Sequence, residues 1–288
     1  TNLLYLNQGV NKEGVPVFKE VAKEWGLADD GFSTQGYFFD FDQDGDLDMY
    51  QLTNALYDPK TPIRFRPKVT NGTALNTDRL YRNNGNGTFT NVSAQAGILI
   101  EGWGHAASIS DFNGDGWPDI YVANDFVSND NLWLNNRNGT FTNTISKAMR
   151  HQSYSSMGVD AADLNNDGLS DVVTLDMLPE ENSRKKTSFF FMNYERYQAE
   201  RFKGYEPQFM RNMLQLNNGN RRMGDTVVPF FSEIGQLAGI SATDWSWSVL
   251  LADFNNDGWK DMHITNGVGR DFIHADFLEF SSQVASSI

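Results

Sequence analysis

Four short segments of this sequence place carboxylates at one fixed spacing. They are Asp40-Phe41-Asp42-Gln43-Asp44-Gly45-Asp46-Leu47-Asp48, Asp111-Phe112-Asn113-Gly114-Asp115-Gly116-Trp117-Pro118-Asp119, Asp163-Leu164-Asn165-Asn166-Asp167-Gly168-Leu169-Ser170-Asp171 and Asp253-Phe254-Asn255-Asn256-Asp257-Gly258-Trp259-Lys260-Asp261. The shared form is D-x-[DN]-x-D-G-x-x-D. Side-chain oxygens at positions 1, 3, 5 and 9, with a backbone carbonyl at position 7, suit a hard cation. Ca²⁺ takes about six to eight oxygen ligands, and a Gly at position 6 allows the sharp turn. The candidate ligands of the first loop are therefore Asp40, Asp42, Asp44 and Asp48, with Asp46 offering its carbonyl. In the second they are Asp111, Asn113, Asp115, Asp119 and the Trp117 carbonyl. In the third they are Asp163, Asn165, Asp167, Asp171 and the Leu169 carbonyl. In the fourth they are Asp253, Asn255, Asp257, Asp261 and the Trp259 carbonyl. About four Ca²⁺ per chain are expected. The first loop should bind most tightly, because it alone has Asp rather than Asn at position 3.

The EF-hand begins the same way but needs a bidentate Glu at position 12 and helices on both sides. Position 12 here is Gln51, Val122, Thr174 and Ile264, and strand-like alternation follows each loop. One such loop alone would read as a solvated acidic turn. Four copies, all with Asp at 1, 5 and 9 and Gly at 6, argue for a ligand.

A second pattern alternates with the first. Leu3–Gly9 leads to Val17–Val21, Arg79–Gly85 to Thr88–Val92, Asn131–Asn136 to Thr140–Thr144, and Met213–Gly219 to Pro229–Ile234. Each is an alternating strand, an Asn/Gly turn and a second strand, which is the form of a β-hairpin. Strands also flank every acidic loop. A repeat thus holds four strands, two joined by the acidic loop and two by the Asn-Gly turn. Tandem four-stranded units predict an all-β fold, a β-propeller. The first Asp residues of the loops stand 71, 52 and 90 positions apart, so 52 is the bare repeat and the longer gaps hold insertions.

The expected organisation over 1–266 is a half blade at 1–35, blades at about 36–104, 105–157 and 158–247, and a half blade at 248–266. Insertions fall at 55–77 and 177–212, and 267–288 forms a C-terminal helical tail. Either the terminal halves pair into one shared blade, giving a four-bladed ring, or the chain is a segment of a larger ring. It opens on Thr1-Asn2-Leu3 with neither initiator Met nor signal peptide, which suggests a processed product or a piece of a longer chain.

Composition narrows the function classes. The 288 residues carry a net charge of −14, 13% aromatics and no Cys. The acidity argues against nucleic-acid binding, which needs a basic face. The missing Cys excludes disulfide scaffolds, thiolate zinc sites and Cys nucleophiles. No apolar run is long enough to span a bilayer. The 29 Asn and 25 Gly suit a turn-rich β protein.

These loops and hairpins resemble the FG-GAP/VCBS repeats of calcium-binding β-propellers. The Leu-Tyr-Leu-Asn…Phe-Thr-Asn-Val hairpins are closest to bacterial VCBS-type surface proteins, some of which also carry an ASPIC/UnbV segment. Integrin α heads hold related repeats. The resemblance implies a propeller of about seven blades in its full form, with Ca²⁺ in the loop joining strands 1 and 2. It also implies a role in adhesion or recognition on a secreted or cell-surface protein, a bacterial outer surface being the expected setting.

The insertions are basic and aromatic. Lys60, Arg64, Arg66 and Lys68 lie in the first. Arg184, Lys185, Lys186, Arg196, Arg201, Lys203 and Arg211 lie in the second, with Phe189-Phe190-Phe191, Tyr194, Tyr197, Phe202 and Tyr205. Both join strands 2 and 3, so they should lie opposite the calcium loops, where they would either meet a partner or fold over their own blades. The connections between blades carry Trp103, His105, Tyr154, Trp245 and Trp247, which would either stack on a glycan at the propeller mouth or wedge between blades. The tail Asp271–Ser282 reads as an amphipathic helix docked on the rim. No GxSxG, P-loop or HExxH motif occurs, and no acid or His pair stands apart from the acidic loops. The reading is therefore a non-enzymatic module that binds a glycan or extracellular protein, with further propeller blades or domains of a longer chain as its other expected neighbours. The alternative is a propeller-based lyase or hydrolase acting on polysaccharide at the central funnel.

Overall fold

Alternating strands separated by Asn/Gly turns give a succession of antiparallel hairpins. The computed structural model describes residues 1–55, 66–125, 128–188, 193–267 and 274–286. The chain begins with the hairpin β1 (Tyr5–Val10) and β2 (Pro16–Glu20), then one helical turn, α1 (Ala22–Trp25). The first complete sheet follows as β3 (Ser33–Phe39), β4 (Asp48–Thr53), β5 (Arg79–Asn83) and β6 (Phe89–Asn91), closed by α2 (Ser93–Ala96). The second is β7 (Gly104–Ser110), β8 (Asp119–Asn124), β9 (Asn131–Asn135) and β10 (Phe141–Asn143), closed by α3 (Ile145–Ala148). A short β11 (Gln152–Ser153) precedes β12 (Gly158–Ala162) and β13 (Asp171–Leu175) of the third. An insertion then supplies β14 (Met177–Leu178), α4 (Asn182–Thr187), α5 (Tyr194–Phe202) and β15 (Gln208–Phe209). The third sheet finishes with β16 (Met213–Met223) and β17 (Thr226–Glu233). Last come β18 (Asp244–Ala252), β19 (Asp261–Asn266) and α6 (Ala275–Ser286).

Each complete sheet is a four-stranded antiparallel meander in chain order. Their first strands neighbour one another: β3 lies beside β7, β7 beside β12, and β12 beside β18. The sheets therefore stand like blades, inner strands together and outer hairpins away from them. Apolar side chains fill the layers between blades. Tyr50, Leu52 and Leu80 of the first blade meet Ile120, Val122 and Trp133 of the second. Tyr121, Leu132 and Leu134 of the second meet Val172, Val228 and Phe231 of the third. Val173, Leu175 and Leu214 meet Val249 and Leu251 of β18.

Among the described residues no ring closes. The β1–β2 hairpin forms its own sheet and packs on the first blade through Leu4, Trp25 and Leu27. β19 is the edge of the sheet β14-β18-β19. The shared terminal blade weighed from the sequence is not formed among the described residues.

A buried polar pair repeats in the first two blades. Asp78 accepts hydrogen bonds from the Tyr50 hydroxyl at 2.8 Å and the Thr53 N–H at 2.8 Å. Asp130 accepts from the Tyr121 hydroxyl at 2.6 Å and the Asn124 N–H at 2.9 Å. Each ties the entry to strand 3 to the end of strand 2, at the pole away from the acidic loops. Burial raises both carboxyls to about 7.

Candidate metal centre

The acidic loops join strands 1 and 2 in three complete blades and in the β18–β19 half-blade. Their backbone explains the pattern. Gly45, Gly116, Gly168 and Gly258 have φ of 94°, 85°, 86° and 92°. That left-handed turn strains any residue with a Cβ. Position 4 is left-handed as well, at Gln43, Gly114, Asn166 and Asn256. The double reversal curls the loop around its own first carboxylate. Asp40 accepts the N–H of Asp44 at 3.1 Å and of Gly45 at 3.0 Å, and Asp111, Asp163 and Asp253 do the same in their loops.

Position 9 is a structural anchor. Asp48 receives the Phe41 N–H at 3.1 Å and the Asn83 N–H at 2.7 Å, so it ties the loop to strand 3. Asp119 links Phe112 and Asn135, and Asp171 links Leu164 and Asn217, in the same way. Burial raises Asp48 and Asp119 to about 7. In the last loop Asp261 receives Phe254 at 3.0 Å.

In the first loop, ligand oxygens of Asp40, Asp42 and Asp48 all lie within 4.8 Å of one another. Among the described residues the buried Oδ1 atoms of Asp42 and Asp46 have no hydrogen-bond partner. Burial, then the charges of Asp44 and Asp40, raise the Asp42 carboxyl, and the same three causes raise Asp46. Converging oxygens, with orphaned atoms and mutual repulsion, fit a hard divalent cation. Such an ion would neutralise the loop and cross-link its turns. Asp40, Asp42 and Asp48 would hold it with their side chains and Asp46 with its carbonyl; Asp44, expected as a further ligand, is not among the converging oxygens, and its Oδ1 accepts the Asp46 N–H.

The other loops satisfy themselves more fully. Asn113, Asn165 and Asn255 each donate their amide to the position-5 carboxylate, at 3.0, 2.9 and 3.0 Å. Position 5 also accepts the N–H of Trp117, Leu169 or Trp259. In the second loop Arg137 adds an ion pair to Asp115. The sequence reading missed this residue because it sits in the neighbouring hairpin turn, where the first and third blades have Gly85 and Gly219.

The loops are also tied to their neighbours. Gln43 donates to the Gly116 carbonyl at 2.6 Å, and Asn166 to that of Gly258 at 3.1 Å. Asn135 reaches back to the Phe41 carbonyl at 2.8 Å, and Asn217 to that of Phe112 at 3.0 Å. Asn135 and Asn217, the first Asn of their Asn-Asn turns, thus join blades as well as shaping a hairpin, whereas Asn83 bonds the Leu47 carbonyl of its own blade. The recurrence of that Asn in the sequence was the available signal.

Residues 69–122 and 111–174 each match the FG-GAP-like repeat family. The first match contains the second acidic loop, and the second contains the second and third. The first and fourth loops carry the same pattern beyond the matched segments. No curated protein matches the chain. A solved lectin of Agrocybe aegerita, described as specific for non-reducing terminal N-acetylglucosamine, is similar at 17% identity. That similarity covers 90% of this chain and 67% of the lectin, with a TM-score of 0.34.

The aromatics expected at the mouth do not form one open surface. Trp103 is only 1% exposed, donates its indole N–H to the Ala55 carbonyl and packs on Tyr205. Tyr154 is 3% exposed and bonds Glu200. The glycan-platform reading is corrected for both: each is a wedge covered by an insertion. His105 is half-buried, 3.6 Å from Asp125. Trp245 is half-buried in the ladder opposite Met177, and Trp247 is exposed.

The insertions fold against these connections, away from the acidic loops. Arg66 pairs bidentately with buried Glu101 at 2.6 Å. Lys68 and the Glu206 N–H both bond Asn129, and the Tyr205 hydroxyl donates to the Arg66 carbonyl. Burial lowers Lys68 to about 8. Tyr197 stacks on Phe209, whereas Tyr194 and Phe202 face solvent. Lys60, Arg64 and Phe189-Phe190-Phe191 lie outside the described residues, as does Asp271–Ile273 of the expected tail helix. In α6, Phe277, Leu278 and Phe280 are exposed, so the docking expected of its apolar side is not seen.

Proposed function

We propose that this chain is a calcium-binding, non-catalytic recognition module that works outside the cell, on a secreted or bacterial surface protein. It engages a glycan or an extracellular protein. The observation that carries the calcium reading is the convergence of Asp40, Asp42 and Asp48 around partnerless buried oxygen. FG-GAP-like repeats suggest an extracellular recognition or adhesion module, and extracellular modules bind Ca²⁺ at about 10⁻⁴–10⁻³ M. The exposed Tyr194 and Phe202 of α5, on a basic insertion, support a protein or glycan contact on the pole opposite the metal.

The test is a glycan array and a pull-down from extracellular fractions, each run in 2 mM Ca²⁺ (roughly the extracellular level) and in EDTA. Retention of a partner in Ca²⁺ and its loss in EDTA is expected. Turnover of a polysaccharide by the chain would overturn the non-catalytic reading.

A further inference from the structure

Charge is divided unevenly between the two poles. The described residues of the insertions, 66–77, 177–188 and 193–212, hold nine Lys and Arg against five Glu, a net charge of +4. The rest of the chain carries −18. The insertions fold away from the acidic loops. An anion is therefore repelled from the loop pole and drawn to the insertion pole. Among the described residues, the ammonium groups of Lys185, Lys186 and Lys203 have neither a hydrogen bond nor an ion pair.

Helix α5 gives that pole a shaped face. Its inner side is fixed to the fold. Asn193 caps the helix by accepting the Arg196 N–H at 2.8 Å. Arg196 pairs with buried Glu200 at 2.9 Å, and the Tyr154 hydroxyl donates to the same carboxylate at 3.2 Å. Tyr197 stacks on Phe209, with ring centroids 5.8 Å apart. The outer side follows from spacing. Tyr194, Gln198, Arg201 and Phe202 stand at i, i+4, i+7 and i+8, which is one face of an α-helix. Tyr194 is 71% exposed and Phe202 92%, with Gln198 and Arg201 exposed between them. Arg201 is steadied by the Tyr205 carbonyl and by Glu206 at 3.4 Å.

Eight residues at a rise of about 1.5 Å set the two exposed rings about 12 Å apart along the helix. That is too far for one sugar ring and suits a linear chain of several. The CH faces of sugars stack on aromatic rings, and the amide of Gln198 can bond a hydroxyl between them. The planar guanidinium of Arg201 matches a carboxylate. A docking face for a protein would have apolar side chains between its aromatic anchors. α5 has no Leu, Ile, Val or Met, and polar groups separate its two rings.

We propose that the outer face of α5 seats a linear acidic polysaccharide, one whose sugars carry carboxylates. Tyr194 and Phe202 stack under two of its rings, Arg201 takes a carboxylate and Gln198 a hydroxyl. Lys185, Lys186 and Lys203 draw the chain in without fixing its position. The fixed inner side of α5 means that the face is set before the ligand arrives, which lowers the cost of binding. The proposal rests on the glycan arm of the reading above, and names the class of glycan and its seat.

Calorimetry on the full chain, with roughly 2 mM Ca²⁺ present, tests it. The acidic probes are hexasaccharides of hyaluronan, alginate and polygalacturonate, the neutral probe is cellohexaose, and the acidic peptide is poly-L-glutamate. At least one acidic hexasaccharide should bind about tenfold tighter than cellohexaose and poly-L-glutamate. Raising NaCl from about 50 to about 300 mM should weaken it. Tyr194→Ala and Phe202→Ala should each weaken it about fivefold or more, with far-UV circular dichroism and melting temperature unchanged. Arg201→Gln should remove the preference over cellohexaose, and Lys12→Gln, at the other end of the chain, should change nothing. Equal binding of poly-L-glutamate would mean plain capture of polyanions and overturns the proposal. Acidic-glycan binding that survives in the Tyr194→Ala/Phe202→Ala variant leaves the glycan reading standing and overturns this seat. Binding of cellohexaose alone leaves that reading standing and overturns the acidic class. Capture of an extracellular protein with no glycan bound overturns the glycan arm itself, and the proposal with it. Failure of all three acidic hexasaccharides to bind overturns the proposal as well.

Discussion

Arg137 holds Asp115. Its Nη2 lies 2.9 Å and its Nε 3.0 Å from Oδ2 of the carboxylate, while the Trp117 N–H takes Oδ1. The second acidic loop therefore carries a cation of its own. Among the described residues the position-5 carboxylates of the other loops have no such partner: Asp44 accepts the Asp46 N–H, and Asp167 and Asp257 bond within their loops.

The second loop should accordingly be the weakest calcium site. The Arg137 side chain is about half exposed, so solvent screens the pair to roughly 0.2–1 kcal/mol. Arg137→Gly, the residue found in the first and third blades, should tighten that site by about 1.4- to fivefold. Calorimetry of the variant against the parent checks this. An unchanged second site would show that the guanidinium swings clear at no cost.

Asp42→Asn separates repulsion from ligation. Without metal, Asp42 is raised by burial and by Asp44 and Asp40. The variant in EDTA should melt no lower than the parent. In Ca²⁺ it should melt lower, because bound metal stabilises only the native state, by about 2.7 kcal/mol at a hundred times Kd. Equal deficits in both conditions would make Asp42 a structural residue.

Asp78 gives a pH signature away from the metal loops. Burial raises its carboxyl to about 7 against its Tyr50 and Thr53 donors. Between the unfolded value and about 7 the native state binds the extra proton, so this group's effect makes stability fall as pH rises. Asp78→Asn removes the titration. Its stability relative to the parent should improve from pH 4 to pH 8 by on the order of 3 kcal/mol. Urea unfolding at several pH values measures it, and parallel curves would contradict it.

Trp103→Ala should cost roughly 3–5 kcal/mol, as for a large buried side chain. It also leaves the Ala55 carbonyl without its indole donor. Urea midpoints check this. A loss under about 1 kcal/mol would return Trp103 to the surface role first considered for it.

Much of the arrangement was legible in the residues. The acidic loops fall between strands 1 and 2 because period-2 alternation on either side of D-x-[DN]-x-D-G-x-x-D leaves no other connection. Gly at position 6 was legible because only a left-handed turn demands it four times. For Trp103 and Tyr154 the mouth and the wedge both stood open, because an aromatic before strand 1 looks the same whether an insertion covers it or not. Tyr205 and Glu200, which cover them, lie far away in the chain. The Arg137–Asp115 pair was hidden because it crosses from a hairpin turn to a loop 22 residues earlier.

The most direct test of the calcium reading is a titration of the metal-stripped chain with Ca²⁺, followed by calorimetry and thermal melting on the same samples. The expected result is about four binding events, the first loop strongest and the second weakest, with a melting temperature that climbs with Ca²⁺ and falls back in EDTA. A chain that takes up no Ca²⁺, and whose melting temperature is the same in millimolar Ca²⁺ and in EDTA, would contradict it.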